Sequence, residues 1–200
     1  MALALIAVRD ARAWIGGFGV MPLARRRGIG RRCAEAAIAT ARTAGATSLE
    51  LEVLVENAVA RRVYEGIGFT IVDELDVWEA DPTGERRALE LVERFELDIR
   101  RATPAPAWQR EARTVSGSGP SAEIDVVGGR AFVMPNGSSN CRVLDMEARD
   151  ERAARELCAR LSIGRSMRLL NESRTSLFSP VLAAAGWRVA HRQLRMRLSF

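Results

Sequence analysis

Two apolar runs open the chain, residues 4–8 and 13–20, parted by the polar stretch Arg9-Asp10-Ala11-Arg12. Runs of this length on either side of a short polar break predict two strands joined by a turn. Pro22 has no amide hydrogen for a sheet ladder, so the second strand is expected to end before it. Residues 29–44 then change period. Ile29, Cys33, Ala36, Ala37 and Ala41 fall on helical spacing, and Gly45 is suited to the left-handed position after a helix. Leu49-Glu50-Leu51-Glu52-Val53 alternates apolar and acidic, the pattern of a half-buried strand. Asn57 is a good N-cap for a helix over 58–65, which Gly66-Ile67-Gly68 would end. Residues 69–78 predict another strand, closed by the turn Asp81-Pro82-Thr83-Gly84. Strand, strand, helix, strand, helix, strand is an α/β order.

Beyond Glu85 the pattern loosens. Residues 88–100 suit a strand or a helix. Residues 103–107 and 116–120 are rich in Pro, Gly, Ala and Ser and look like linkers, with a short helix expected at Trp108-Gln109-Arg110. The earlier order then returns. A hairpin is expected about Gly128-Gly129 (strands 123–127 and 130–134), followed by a strand over 141–148. A helix over 150–161 capped by Asp150, a strand over 167–170, a helix over 176–185 and a strand over 187–198 complete the series. Gly186-Trp187 echoes Gly68-Phe69. This predicts a diverged internal duplication, with a core over 1–84, a crossing segment over 85–121 and a second half over 122–200.

A length of 200 residues allows one large or two small domains, and a 48% hydrophobic fraction is that of a globular protein. No apolar run approaches the roughly 20 residues of a membrane helix. The opening apolar run lacks a basic flank and a cleavage site, so it reads as a strand, and a cytoplasmic location is expected. The net charge is +5, and every one of the 30 basic residues is arginine. They are dispersed among carboxylates, so neither nucleic acid nor a membrane surface is an expected partner. The tight cluster Arg25-Arg26-Arg27 fits a small anion better. Three widely spaced cysteines and one histidine argue against a disulfide framework and against a zinc site, so no metal is expected.

The segment from Val20 to Gly30 carries the chemistry. A strand ends, Pro22 breaks the ladder, and Arg25-x-x-Gly28-x-Gly30 opens a helix. Glycines let the backbone approach a ligand closely, and a helix N-terminus offers unpaired N–H groups and partial positive charge. Three arginines add charge-assisted contacts, so the whole suits a pyrophosphate.

Val20-x-Pro22-x-x-Arg25-Arg26-Arg27-Gly28-Ile29-Gly30 resembles the acetyl-CoA signature of the GNAT superfamily of N-acyltransferases. Asn57-x-x-Ala60-x-x-x-Tyr64-Glu65-x-x-Gly68-Phe69 is similar to that superfamily's second signature. The resemblance covers about residues 4–80. It implies an α/β (α+β) fold with a mixed, mostly antiparallel sheet flanked by helices. Acetyl-CoA is the implied co-substrate, and an amine on a small molecule or a protein the implied acceptor, attacking directly in a ternary complex. Phe18 and Val20 would pair their backbone with the pantetheine arm. Arg25, Arg26, Arg27, Gly28, Ile29, Gly30 and Arg31 would surround the pyrophosphate, and Asn57 would touch the cofactor. Tyr64 would protonate the leaving thiolate. Glu52 is the first candidate for the base and Glu56 the second. A bland reading stands beside each role: Tyr64 as core, Asn57 as a plain cap, Glu50 and Glu52 as the solvated face of a strand. The alternative for the whole chain is a non-catalytic acyl-CoA-binding or regulatory protein.

Two departures from the family pattern shape further expectations. The loop comes at residue 25, which implies that an opening strand and a helix pair are missing. The strand at 4–8 is then expected to need cover from the C-terminal half or from a second chain in a homodimer. The second half has the acidic Glu147-Ala148-Arg149-Asp150-Glu151-Arg152 where the glycine loop would be. A second, degenerate half-domain without a cofactor of its own is implied, packing on the first and shaping the acceptor cleft, with 104–110 as the crossing segment.

Overall fold

The computed structural model describes residues 1–85, 89–91, 106–137 and 140–200. Residues 92–105, with most of the segment expected as strand or helix and most of the first linker, lie outside the described residues. The chain divides into two compact units, residues 1–74 with 193–200, and residues 75–192. Both are built from a largely antiparallel sheet flanked by helices, the fold class expected.

In the first unit β1 (Ala2–Arg9) and β2 (Arg12–Val20) form the expected hairpin, turned at Asp10 with φ +53°. β2 runs parallel to β3 (Ser48–Leu54), and β3 pairs antiparallel with the C-terminal part of β9 (Arg188–Ser199), from Ser48↔Ser199 to Leu54↔Gln193. α1 (Ile29–Thr43) and α2 (Ala58–Glu65) lie close to their expected bounds, and β4 (Thr70–Ala80) follows. One face of the sheet gives Ala13, Ile15, Leu49, Leu51 and Met196 to a core shared with both helices.

The buried face of α1 differs from the expected one. Ala34, Ala37, Ile38 and Ala41 are buried, Cys33 is half-buried and Ala36 is exposed. The spacing i, i+3, i+4, i+7 is that of one helical stripe. An alanine-rich helix offers several such stripes, and only packing on the sheet selects one. β3 differs too. Glu50, expected on a solvated face, is 1% exposed. β9 lies beside it, and Arg195 donates from Nε and Nη2 to Glu50 Oε2 at 2.9 and 2.7 Å. Arg197 Nε donates to Glu50 Oε1 at 2.8 Å. Burial acts to raise the Glu50 pKa, but the two guanidinium groups outweigh it and hold the carboxyl below its ordinary value.

In the second unit the Trp108–Arg110 turn is a 3₁₀ helix, followed by α3 (Ala112–Ser116), which the linker expectation at 116–120 overlapped. β5 (Ala122–Val126) and β6 (Gly129–Pro135) form a hairpin with Gly128 at φ +83°. β7 (Asn140–Ala148), α4 (Glu151–Leu161), β8 (Ser166–Ser173) and α5 (Phe178–Ala184) complete it with parts of β4 and β9. Asp150 caps α4 by accepting from Ala153 N at 2.8 Å. β8 is longer than expected. α5 starts later, because Ser176 Oγ accepts from the amides of Phe178 and Ser179 at 3.2 and 3.3 Å and holds residue 176 outside the helix. The strand order runs β4-β8-β7-β6-β5.

Candidate active site

The site begins where β2 and β3 part. Their parallel ladder runs from Arg12↔Ser48 to Ile15↔Leu51 and stops there, although β2 continues to Val20 and β3 to Leu54. The register between β1 and β2 skips at the same place, from Leu5↔Gly17 to Ile6↔Ile15, so Gly16 is the extra residue of a β-bulge. A Cβ on Gly16 would lie 2.4 Å from the Trp14 ring, so the indole folds over this residue as only glycine allows. Past the bulge, Phe18 and Val20 sit on a stretch whose ladder to β3 has ended.

The loop follows directly. Pro22–Ala24 makes a 3₁₀ turn, and Arg25 turns its guanidinium back so that Nε donates to Val20 O at 3.1 Å. Arg26 at φ +58° and Gly28 at φ +70° are left-handed, and Gly28 is the N-cap of α1. A Cβ on Gly28 would meet nothing within 4 Å. Arg32 N donates to Gly28 O at 3.1 Å, the first bond of the helix. The backbone amides of residues 26–31 donate to no backbone acceptor among the described residues. Arg25, Arg26, Arg27, Gly28 and Arg31 are exposed, and Arg31 Nε also donates to Glu35 at 2.8 Å. A run of amides with no backbone partner among the described residues, a left-handed glycine with open space beside it and exposed guanidinium groups suit a diphosphate.

Tyr64, on α2, is buried at 5% exposure, with its ring edge-on to Phe18 and Phe69 at 5.8 Å each. Burial, with a smaller effect from the nearby Cys33, pushes its pKa up to about 12. The ring therefore lies under the strand that carries Phe18, and the phenol stays protonated through neutral pH. Asn57 caps α2, with Oδ1 accepting from Ala60 N at 3.2 Å. Glu52 is half-buried, and Trp14 Nε1 donates to its Oε2 at 2.7 Å. Glu56 is exposed on the β3–α2 connection. Glu50, bound by two arginines, is engaged in the fold. Trp14 was not foreseen: it lies on a strand like any core aromatic, and only the register of β2 on β3 brings its indole to Glu52. Among the described residues no group of three or more His, Cys, Asp and Glu could hold a metal ion, and no helix is long and apolar enough to cross a membrane.

The second unit also has a parted parallel pair beside a bulge, built from different residues. β7 and β8 pair parallel from Asn140↔Ser166 to Val143↔Leu169 and then stop, and β6 skips register from Phe132↔Asp145 to Val133↔Val143, making Leu144 the bulge. Phe69 N donates to Tyr64 O and Trp187 N to Leu182 O, both at 3.0 Å, with Gly68 and Gly186 left-handed in each case. Leu182 thus stands where Tyr64 stands. The β2–α1 connection spans residues 21–28, whereas β7 and α4 are joined by 149–150 alone.

A parted pair of parallel strands, a bulge beside it and a glycine-arginine loop opening a helix together make up the candidate site. Residues 1–69, about a third of the chain, match the model of the Acetyltransferase (GNAT) family. The whole chain shares its fold with solved GNAT structures. A GCN5-related N-acetyltransferase from Sphaerobacter thermophilus is 16% identical with a TM-score of 0.67, over 99% of this chain and 76% of that one. A tandem GNAT protein from the clavulanic acid biosynthesis pathway is 16% identical with a TM-score of 0.57, over 95% and 75%. A GCN5-related N-acetyltransferase from Anabaena variabilis is 14% identical with a TM-score of 0.53, over 98% and 58%. No curated protein matches the chain.

Proposed function

We propose that this chain is an acetyl-CoA-dependent N-acetyltransferase whose acceptor is a primary amine on a small molecule or a protein. The observation that carries the reading is the row of amides over residues 26–31 at the mouth of α1 that donate to no backbone acceptor among the described residues, with Gly28 left-handed and Arg26 and Arg27 exposed beside it. Acetyl-CoA would supply a thioester acyl group that an amine can attack directly. The loop amides hold the diphosphate, with Arg26, Arg27 and Arg31 balancing its charge, and the β2 backbone past Gly16 orients the arm. Asn57 stands at the start of α2, where it can touch the cofactor as well as cap the helix. Glu52, oriented by Trp14, accepts the proton of the attacking amine. Tyr64 keeps a phenolic proton for the departing sulfur. The second unit is a diverged copy with no second cofactor loop, in line with the two-residue β7–α4 connection and with Leu182 in place of Tyr64. A cytoplasmic location belongs to the same reading.

A second reading, an acyl-CoA-binding regulator without turnover, is favoured by the burial of Tyr64 between Phe18 and Phe69, which core packing alone explains. Calorimetry with acetyl-CoA and thiol release with a panel of amines separate the two. The enzyme binds and releases CoA, whereas the regulator binds and releases none. Absence of binding at millimolar acetyl-CoA, with folded protein, overturns both.

A further inference from the structure

The place where β7 and β8 part is filled by the chain itself. Asp145 lies just past the last parallel pair on β7, and Glu172 just past it on β8. Between them comes Arg110, from the 3₁₀ turn Trp108–Arg110, which stands outside the repeated elements and packs against both strands. Its Nη2 donates to Asp145 Oδ1 at 3.3 Å, and its Nη1 donates to Glu172 Oε2. Arg110, Asp145 and Glu172 are 6%, 8% and 3% exposed. The turn is fixed as firmly as its arginine. Trp108 is 2% exposed, and its carbonyl accepts from Thr114 Oγ1 at 2.6 Å.

Two buried carboxylates on neighbouring strands repel one another, and each costs several kcal/mol to desolvate without a partner. A guanidinium is a flat fork with donors on two sides, so a single side chain can reach both strands; a lysine ammonium is a point charge that cannot span them in the same way. In the first unit the residue two beyond the last parallel pair on β2 is Gly17, and the residue three beyond it on β3 is Leu54. Neither bears charge. At these two positions the first parting is uncharged, its carboxylate Glu52 lying one residue past the ladder, whereas the second carries two carboxylates with a cation seated between them.

We infer that the parting of β7 and β8 is a guanidinium site, which the chain occupies with its own Arg110. The inference goes beyond the proposed acetyl transfer and does not rest on it. The second cleft is a closed binding site whose ligand is built in, and its chemistry selects a planar cation over a phosphate-bearing arm, which two carboxylates repel.

Removing the built-in ligand tests this. Arg110→Ala in the full chain lowers Tm by about 10 °C, the size of a broken buried pair in a protein of this length. Methylguanidinium chloride at about 10 mM then raises the Tm of the variant by roughly 4 °C and leaves the parent chain unmoved, while sodium chloride at equal ionic strength moves neither. A variant as stable as the parent, or one that responds equally to both salts, overturns the inference. If Arg110→Ala yields no folded protein, the triple variant Arg110→Met, Asp145→Asn, Glu172→Gln decides. With every charge of the set removed it folds and ignores methylguanidinium; failure to fold, or a response to that cation, overturns the inference equally.

Discussion

Trp14 Nε1 donates to Glu52 Oε2 at 2.7 Å, joining two parallel strands at the point where they separate. The bond fixes one carboxylate oxygen while the indole covers Gly16. Trp14→Phe is expected to lower kcat for amine acetylation about tenfold with KM for acetyl-CoA unchanged, the effect of losing one hydrogen bond to a charged group. Glu52→Gln should lower kcat by about 10²-fold. In the double variant the Trp14 change should add nothing further, because it acts through Glu52. Additive losses in thiol-release assays would contradict that arrangement.

Arg26 holds φ +58° in an exposed loop, a conformation that costs an L residue roughly 1 kcal/mol. Arg26→Gly is therefore expected to leave urea stability unchanged or raise it by about 0.5 kcal/mol. The same change should weaken acetyl-CoA binding about tenfold, through the lost charge-assisted contact. Calorimetry beside urea denaturation reads the two effects separately, and a parallel fall in both would place Arg26 in the fold rather than at the ligand.

The Glu50 carboxyl is held below its ordinary value by Arg195 and Arg197 against the opposing effect of burial. A depressed folded pKa means that its contribution is present above the unfolded value of 4.5 and is lost as pH falls through the folded one. Tm should therefore drop steadily below about pH 4.5. Glu50→Gln, which removes the buried carboxylate that Arg195 and Arg197 hold, is expected to cost about 3 kcal/mol at neutral pH and to flatten that acid limb.

At the alkaline end the signs reverse. Burial raises Tyr64 from 10.0 to about 12 and Cys158 from 9.0 to about 12. The unfolded chain ionises first, so stability should fall from pH 9 onward until both groups ionise in the fold. In Tyr64→Phe the fall above pH 10 should become shallower in a Tm-against-pH series, with the Cys158 share remaining. Turnover in the same variant should drop about 10²-fold if the phenol donates to sulfur, and stay level if it only packs.

Much of the fold could be read from local signals. Asn57 and Asp150 cap helices where expected, Gly45, Gly68 and Gly186 follow helices in left-handed conformations, and Pro22 ends its strand. The loop from Arg25 to Gly30 was legible for the same reason, since its glycine and its arginines act within a few residues. What escaped depends on distant pairing. Glu50 alternates with leucines as a surface residue would, and only a strand from the far end of the chain shows that it is buried. Arg110 meets Asp145 and Glu172, each well removed along the sequence, and nothing about a lone arginine beside a tryptophan signals them. The stripe on α1 was missed because alanine offers too little contrast between faces.

Ser48 finds its partner in Ser199, so the flank of β3 behind the Arg25–Gly30 loop is covered by residues made after the entire second unit. On a ribosome the loop and its helix emerge early, while β3 waits with one flank open. Until residues 193–199 arrive, that flank is a strand edge ready to take any extended segment it meets. A nascent chain of this design needs either rapid completion or a holdase, and a truncation before residue 193 would cost the first unit its seam.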